Sequence, residues 1–375
     1  MLFRSADRRS DDRALNILLV RLRLIGDVVF TTPLVRALRR EYPSARLVYL
    51  VEADAAPVVR HNPHLDEVIV APRTRGLQRF ADDVQLARQL RRRRFDIAID
   101  LHGGPRSGWL TLASGARERV GYATAGRSWM YTRAVPRPRE LRPRHSVVNQ
   151  WDLLQALPGW PGGAPDCERD AVEMPLDPAA DDRMAARLSR AGIGEQHDLI
   201  VVHVSAGNRF RRWPEPSFVS LVTDLAGRHA NRRVVVSSGP SDRDAASRIA
   251  ATARDQLGPL GSRVVDLGEF DLQELRALIG RSRLFVGGDT GPLHIAAATS
   301  TAIVGIYGPT LSAQSAPWRG RHTASAAVEV TDLPCRPCDQ RACAPGDFRC
   351  LTRLAPDAVI DAAESAMASE RRQHS

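Results

Sequence analysis

Apolar residues recur along this chain as short runs, each followed by a longer stretch with helical spacing. Ile17-Leu18-Leu19-Val20, Leu47 to Val51, Val68-Ile69-Val70 and Ile97 to Leu101 are too short for helices and read as buried strands. Val28 to Arg40 has helical spacing, with Pro33 tolerable only near its start. Ala81 to Arg94 is a second helix, ending in four arginines. Residues 158–182, rich in Pro, Gly and Asp, have a linker composition. A second series follows: strands at Leu199 to Val204, Val234 to Val236 and Val264 to Asp266, one that starts at Leu284 and runs into a glycine turn, and Ile303 to Tyr307. Helices are expected at Phe218 to Ala230, Leu272 to Ile279 and Asp357 to Glu370. Strand–helix alternation argues an α/β fold with parallel sheets covered on both faces. Two similar halves around a linker predict two Rossmann-like domains facing a cleft, with ligands at the C-terminal ends of the strands.

Composition adds little to the fold and something to the partner. The chain has 375 residues, 53 basic and 43 acidic, and every basic residue is arginine. Residues 1–150 hold 28 arginines against 15 acidic residues, net +13, and the remainder hold 25 against 28, net −3, so the excess positive charge of the +10 chain sits in the first half. That asymmetry suits an anionic partner: nucleic acid, an acidic membrane surface or an anionic glycolipid. The basic cluster Arg91–Arg94 with Arg133, Arg137, Arg139, Arg142 and Arg144 reads either as a head-group surface or as a solvated face. It lacks the aromatic interleaving of a base-stacking surface. No run approaches a membrane span and no apolar signal core opens the chain, so a cytoplasmic protein is expected.

The candidate chemistry lies where strands end. In Leu284 to His294 a buried strand runs through Gly287-Gly288-Asp289-Thr290-Gly291-Pro292 into a helix start, an arrangement whose free N–H groups hold phosphate. Asp27 follows Arg23-Leu24-Ile25-Gly26 after strand one. It reads either as a base for an acceptor hydroxyl or as a helix cap. After the strand at 199–204, His203 to Pro214 carries Ser205, Gly207, Arg211 and Arg212. These suit a diphosphate; a surface loop anchored by Trp213 is the other reading. Asp242, in Ser238-Gly239-Pro240-Ser241-Asp242, reads as a ribose ligand or a cap. Cys335, Cys338, Cys343 and Cys350 are compatible with a structural zinc, or with a loop of free or paired thiols.

Four stretches, in order, resemble the heptosyltransferase family of glycosyltransferases. They are Ile17 to Leu34 with Gly26-Asp27-Val28, Arg211-Arg212-Trp213-Pro214, Gly288 to His294, and Tyr307-Gly308-Pro309-Thr310. The resemblance implies a GT-B fold, with an acceptor domain at 1–175 and a donor domain at 176–375 whose last helix crosses back. It implies inverting transfer without a metal or other cofactor, from ADP-heptose to a lipopolysaccharide core hydroxyl, with Asp27 as the base. It places Arg21, Gly26 and Thr31 on the acceptor side. Ser205, Gly207, Arg211, Arg212, Asp242, Asp289, Thr290, Gly291 and His294 fall on the donor side. Arg211 stands where the family usually has lysine. The partners expected are a nucleotide sugar and an anionic glycolipid, not nucleic acid, met by a monomer at the cytoplasmic face of the inner membrane. A GT-B enzyme using another nucleotide sugar, as a surface-glycan transferase or an epimerase, is the second reading. A non-enzymatic binding module is the third.

Overall fold

The computed structural model describes residues 14–136, 144–204 and 206–373. Twelve described strands form two six-stranded sheets. The first contains β1 (Asn16–Val20), β2 (Arg46–Glu52), β3 (Glu67–Ala71), β4 (Ile97–Asp100), β5 (Glu118–Tyr122) and β6 (Arg133–Val135). The second contains β7 (Asp198–His203), β8 (Arg232–Ser237), β9 (Val264–Val265), β10 (Leu284–Gly288), β11 (Ala302–Tyr307) and β12 (Ser325–Glu329). Every pairing is parallel. The orders are β3-β2-β1-β4-β5-β6 and β9-β8-β7-β10-β11-β12, so the second lobe repeats the first. In each lobe the order reverses once, between β1 and β4 and between β7 and β10. A crevice opens at such a reversal, outside the carboxyl ends of the strands.

The sequence reading located the central strands and missed β5, β6 and β12. Those strands, of which β6 and β12 are sheet edges, carry few apolar residues (ERVGY, RAV, SAAVE) and are only partly buried. The expected helix from Val28 to Arg40 is two helices, Ile25–Val29 and Thr32–Glu41. Pro33 explains the break. It has no N–H to give to the Val29 carbonyl, and the Thr32 hydroxyl takes that carbonyl at 2.8 Å instead.

The segment expected to be a linker is strapped down. Asp170 is fully buried and bonded by Arg40 and Arg169, while Glu173 meets Arg36 and Asn62. The following helix starts earlier than the composition suggests, at Pro178. Asp177 caps it, accepting from the Ala179 N–H at 3.1 Å.

The final helix, Pro356–Gln373, corrects an expectation. It packs on β10, β11 and β12 and on the helix Glu215–Arg228, all in the second lobe, rather than crossing back. Val359, Ile360, Ala363, Ala366 and Met367 form its apolar stripe. Glu364 holds it to the buried Arg232 at 2.6 Å. The return contact comes instead from residues 314–318. Ser146 Oγ donates to the Gln314 carbonyl (2.9 Å), and Trp318 Nε1 donates to the Asp170 carbonyl (2.8 Å).

Candidate active site

The two reversal points meet. The helix Ile25–Val29, after β1, packs on the helix Gly291–Ala297, after β10. A Cβ on Gly26 would fall inside the van der Waals envelope of His294 Cδ2, and one on Gly291 would lie 3.1 Å from Ile25 Cβ. Gly26 is therefore glycine because the His294 ring occupies its side-chain space. Phe30 packs on the same ring, tilted by 49° at 4.3 Å between centroids.

Asp27 lies in the first turn of its helix and is not its cap. Leu24 holds the cap position, without a side-chain cap bond, at φ 68°. That is an unusual backbone for a branched residue, and it turns the chain sharply at the mouth of the crevice. The Asp27 side chain is 33% exposed and its Oδ2 accepts from Arg21 Nη2. Its Oδ1 has no hydrogen-bond partner among the described residues. Arg21 is itself fixed, because Nη1 donates to the Leu101 carbonyl at 2.5 Å. The loop bearing Leu101 is pinned by Asp100, a fully buried carboxyl that sequence reasoning did not single out. Asp100 accepts from Tyr131 Oη (2.6 Å), Ser107 Oγ (2.9 Å) and the amides of His102 and Gly103. Burial pushes its pKa up, against those four hydrogen bonds.

Across the crevice, Asp289 is nearly buried and heavily bonded. Thr310 Oγ1 donates to Oδ2 at 2.6 Å, and His294 Nε2 lies 3.4 Å from Oδ1. Arg211 Nη1 donates to the Asp289 carbonyl at 2.7 Å and lies 3.4 Å from Oδ2. Burial, the largest single influence, pushes this carboxyl up. The His294 bond and charge, the Arg211 charge and the Thr310 bond outweigh it and hold the pKa at about 2. Asp289 is thus a fixed anion that orients its neighbours. Thr290 and Gly291 are half-exposed, at the start of a helix of only seven residues. Its first-turn amides have no partner within the helix.

Arg211, half-buried, is oriented by a residue the sequence reading passed over. Gln340 Oε1 accepts from Arg211 Nε at 2.8 Å and from Asn208 Nδ2 at 3.0 Å. Gln340 lies between the second and third cysteines of the cluster, and only its place in that loop could have drawn attention to it.

Other expected residues sit differently. Arg212 Nη2 pairs with Asp242 at 2.8 Å, and Ser241 Oγ bonds the same carboxylate at 2.8 Å. Asp242 occupies the cap position of the helix Arg243–Leu257 without a side-chain cap bond. Beside it, at the ends of β8 and β9, a cavity of about 160 Å³ is lined by Gly239, Pro240, Arg243, Asp266, Glu269 and Phe270, among others. Gly207 is exposed. Thr31 is fully buried, bonding the Val28 carbonyl and Tyr49 Oη at 2.7 Å each, so it braces the helix rather than facing an acceptor. Ser205, Arg137, Arg139 and Arg142 lie outside the described residues. Of the remaining basic cluster, Arg93, Arg133 and Arg144 are committed to Glu67, Glu118 and Asp152.

The zinc reading is not supported. Cys335, Cys338, Cys343 and Cys350 line one cavity of about 180 Å³, yet each is a free thiol. No group of three or more His, Cys, Asp or Glu among the described residues converges to hold a metal. The Cys350 thiol is pushed up, chiefly by burial.

Comparison with known proteins agrees with the two-lobed fold. Residues 84–346 match the model of "Glycosyltransferase family 9 (heptosyltransferase)". Lipopolysaccharide heptosyltransferase 3 of Escherichia coli is 27% identical over 327 residues, covering 85% of this chain and 91% of that one. Among solved structures, the glycosyl transferase family 9 protein of Veillonella parvula superposes with a TM-score of 0.79. It is 22% identical, over 94% of this chain and 97% of that one. E. coli ADP-heptose lps heptosyltransferase II superposes with a TM-score of 0.74. It is 19% identical, over 95% of this chain and all of that one.

Proposed function

Because the chain belongs to glycosyltransferase family 9 (heptosyltransferase) and is therefore a glycosyltransferase, we propose that it moves a heptose from ADP-heptose to a hydroxyl of a lipopolysaccharide core acceptor. The observation that carries this reading is the meeting of the two reversal points. Gly26 packs against His294, so the helix that carries Asp27 lies on the helix that opens at Asp289-Thr290-Gly291.

In this reading Asp27 Oδ1 takes the proton of the acceptor hydroxyl while Arg21 holds Oδ2. The acceptor oxygen attacks the anomeric carbon from the face opposite the diphosphate, so configuration inverts. ADP departs with the bonding electrons. Arg211 and the amides of Thr290 and Gly291 face the charge that develops on the leaving diphosphate. No step calls on a metal. Asp289 and Gln340 keep the Arg211 guanidinium in place from two sides. The cavity beyond β8 and β9 takes the nucleoside, and Asp242, next in sequence to its lining residue Arg243, is paired with Arg212. ADP-heptose is favoured as donor because a relative of matching fold is named for it. No described helix is long and apolar enough to cross a membrane. A lipid-borne acceptor is then met at the cytoplasmic face of the inner membrane by the enzyme as a peripheral protein.

Two assays test the proposal. Purified protein should be stabilised against heat by ADP and not by UDP. Mass spectrometry of the products should show heptose added to a core acceptor. Stabilisation by UDP alone would overturn the donor, and transfer of another sugar the substrate class.

A further inference from the structure

Six large apolar side chains are exposed among the described residues, and five of them, Leu24, Val70, Leu77, Phe80 and Trp129, lie in the first lobe. Four of the five share one rim. Leu24 follows β1, Leu77 and Phe80 follow β3, and Trp129 follows β5. In an all-parallel sheet these loops emerge on one side, the side onto which the crevice opens. The pieces are contiguous: the helix Gly76–Arg92 packs on Pro105–Ala113, which packs on the turn Ser128–Met130. Leu77 and Phe80, three residues apart, share a helix face at 90% and 69% exposure.

The charge on this rim is one-sided. Arg23, Arg73, Arg75 and Arg79 are exposed and Arg127 is half-buried between the apolar side chains. The nearby acids are turned away from solvent or taken. Arg106 binds both Glu52 and Asp83 at 2.6 Å, Asp82 accepts from Thr74 at 2.6 Å, and Asp54 meets Arg73. Arg23, Arg75 and Arg127 form no ion pair with a described residue. Separated apolar anchors, a tryptophan at the edge and arginines between them is the composition of a surface that seats in an anionic lipid interface.

We propose that this rim docks the enzyme on an anionic bilayer, with Leu77, Phe80 and Trp129 entering the head-group layer. The crevice then faces the membrane, and a glycan rooted in the bilayer reaches Asp27 without leaving it. This use of the surface rests on the lipid-borne acceptor proposed above.

The test is sedimentation of the full chain with vesicles. The wild type should sediment with vesicles of phosphatidylethanolamine and phosphatidylglycerol and stay in solution with pure phosphatidylcholine. L77S/F80S should weaken binding by about tenfold or more, and W129S by less, with unchanged thermal unfolding. Equal sedimentation of wild type and L77S/F80S, or none by the wild type, would overturn the proposal. So would a wild-type dimer that the double substitution splits, since the rim would then join two copies of this chain. Transfer to a lipid-free core oligosaccharide should be unchanged in L77S/F80S. That assay reports the chemistry alone and sedimentation the surface alone, so the two proposals fail separately.

Discussion

Asp27 and Asp289 face the same crevice from opposite lobes and share little but their carboxylates. Asp27 is one-third exposed, with one oxygen on Arg21 and the other uncommitted among the described residues. Asp289 is enclosed, bonded by Thr310, Arg211 and His294 and held at about pH 2. A group so strongly committed to its charge is a poor proton acceptor for chemistry near neutrality. The difference teaches that motif strength and reactivity are separate. The more conspicuous sequence motif holds the enclosed, fully bonded carboxylate, and the plainer loop holds the one with an oxygen uncommitted among the described residues.

The sharpest way to break the contrast is Asp27→Asn. Transfer should fall by about 10²–10⁴-fold with ADP-induced stabilisation unchanged, because the asparagine still accepts from Arg21. A wild-type rate, measured by product mass spectrometry, would remove Asp27 from the reaction. Asp289→Ala should act on the fold instead. It leaves Arg211 and Thr310 without their anion in a buried setting, and denaturant titration should show a loss of about 3 kcal/mol or more. Unchanged stability would contradict its role as an organiser.

Acid titration probes the same group. The folded pKa of Asp289 lies below the ordinary carboxyl value, so its contribution is fully present above about pH 4 and disappears as pH falls towards 2. That contribution is roughly 2 kcal/mol. Asp289→Asn should therefore flatten the acid arm of the stability profile between those values, and an unchanged arm would refute the assignment. Gln340→Ala should have the smallest effect. It should raise the donor KM by about threefold to tenfold with kcat nearly constant. The same substitution in an Arg211→Lys background should do nothing, because lysine has no Nε–H for Gln340 to hold. A further loss there would place Gln340 in another role.

Much of this was legible in the sequence because the central strands are short, wholly apolar and buried on both faces, as Ile17 to Val20 shows. Strands β5, β6 and β12 were not, since a half-exposed strand such as Ser325–Glu329 needs no apolar run. Asp27, Asp289 and His294 were legible because glycines mark the tight turns that carry them. Asp100 and Gln340 were not. Their roles depend on contacts with Tyr131 and Arg211, 31 and 129 residues away, which no local pattern records. The cysteine spacing misled because four thiols around one cavity need not take the arrangement that holds a metal.

One contact carries a consequence for the history of the family. The volume that any side chain at position 26 would need is filled by an imidazole from the other half of the molecule. Neither position can drift alone. A relative with a bulkier residue at the first site should show a smaller one at the second, and an alignment in which the two vary independently would mean that its members do not close this way.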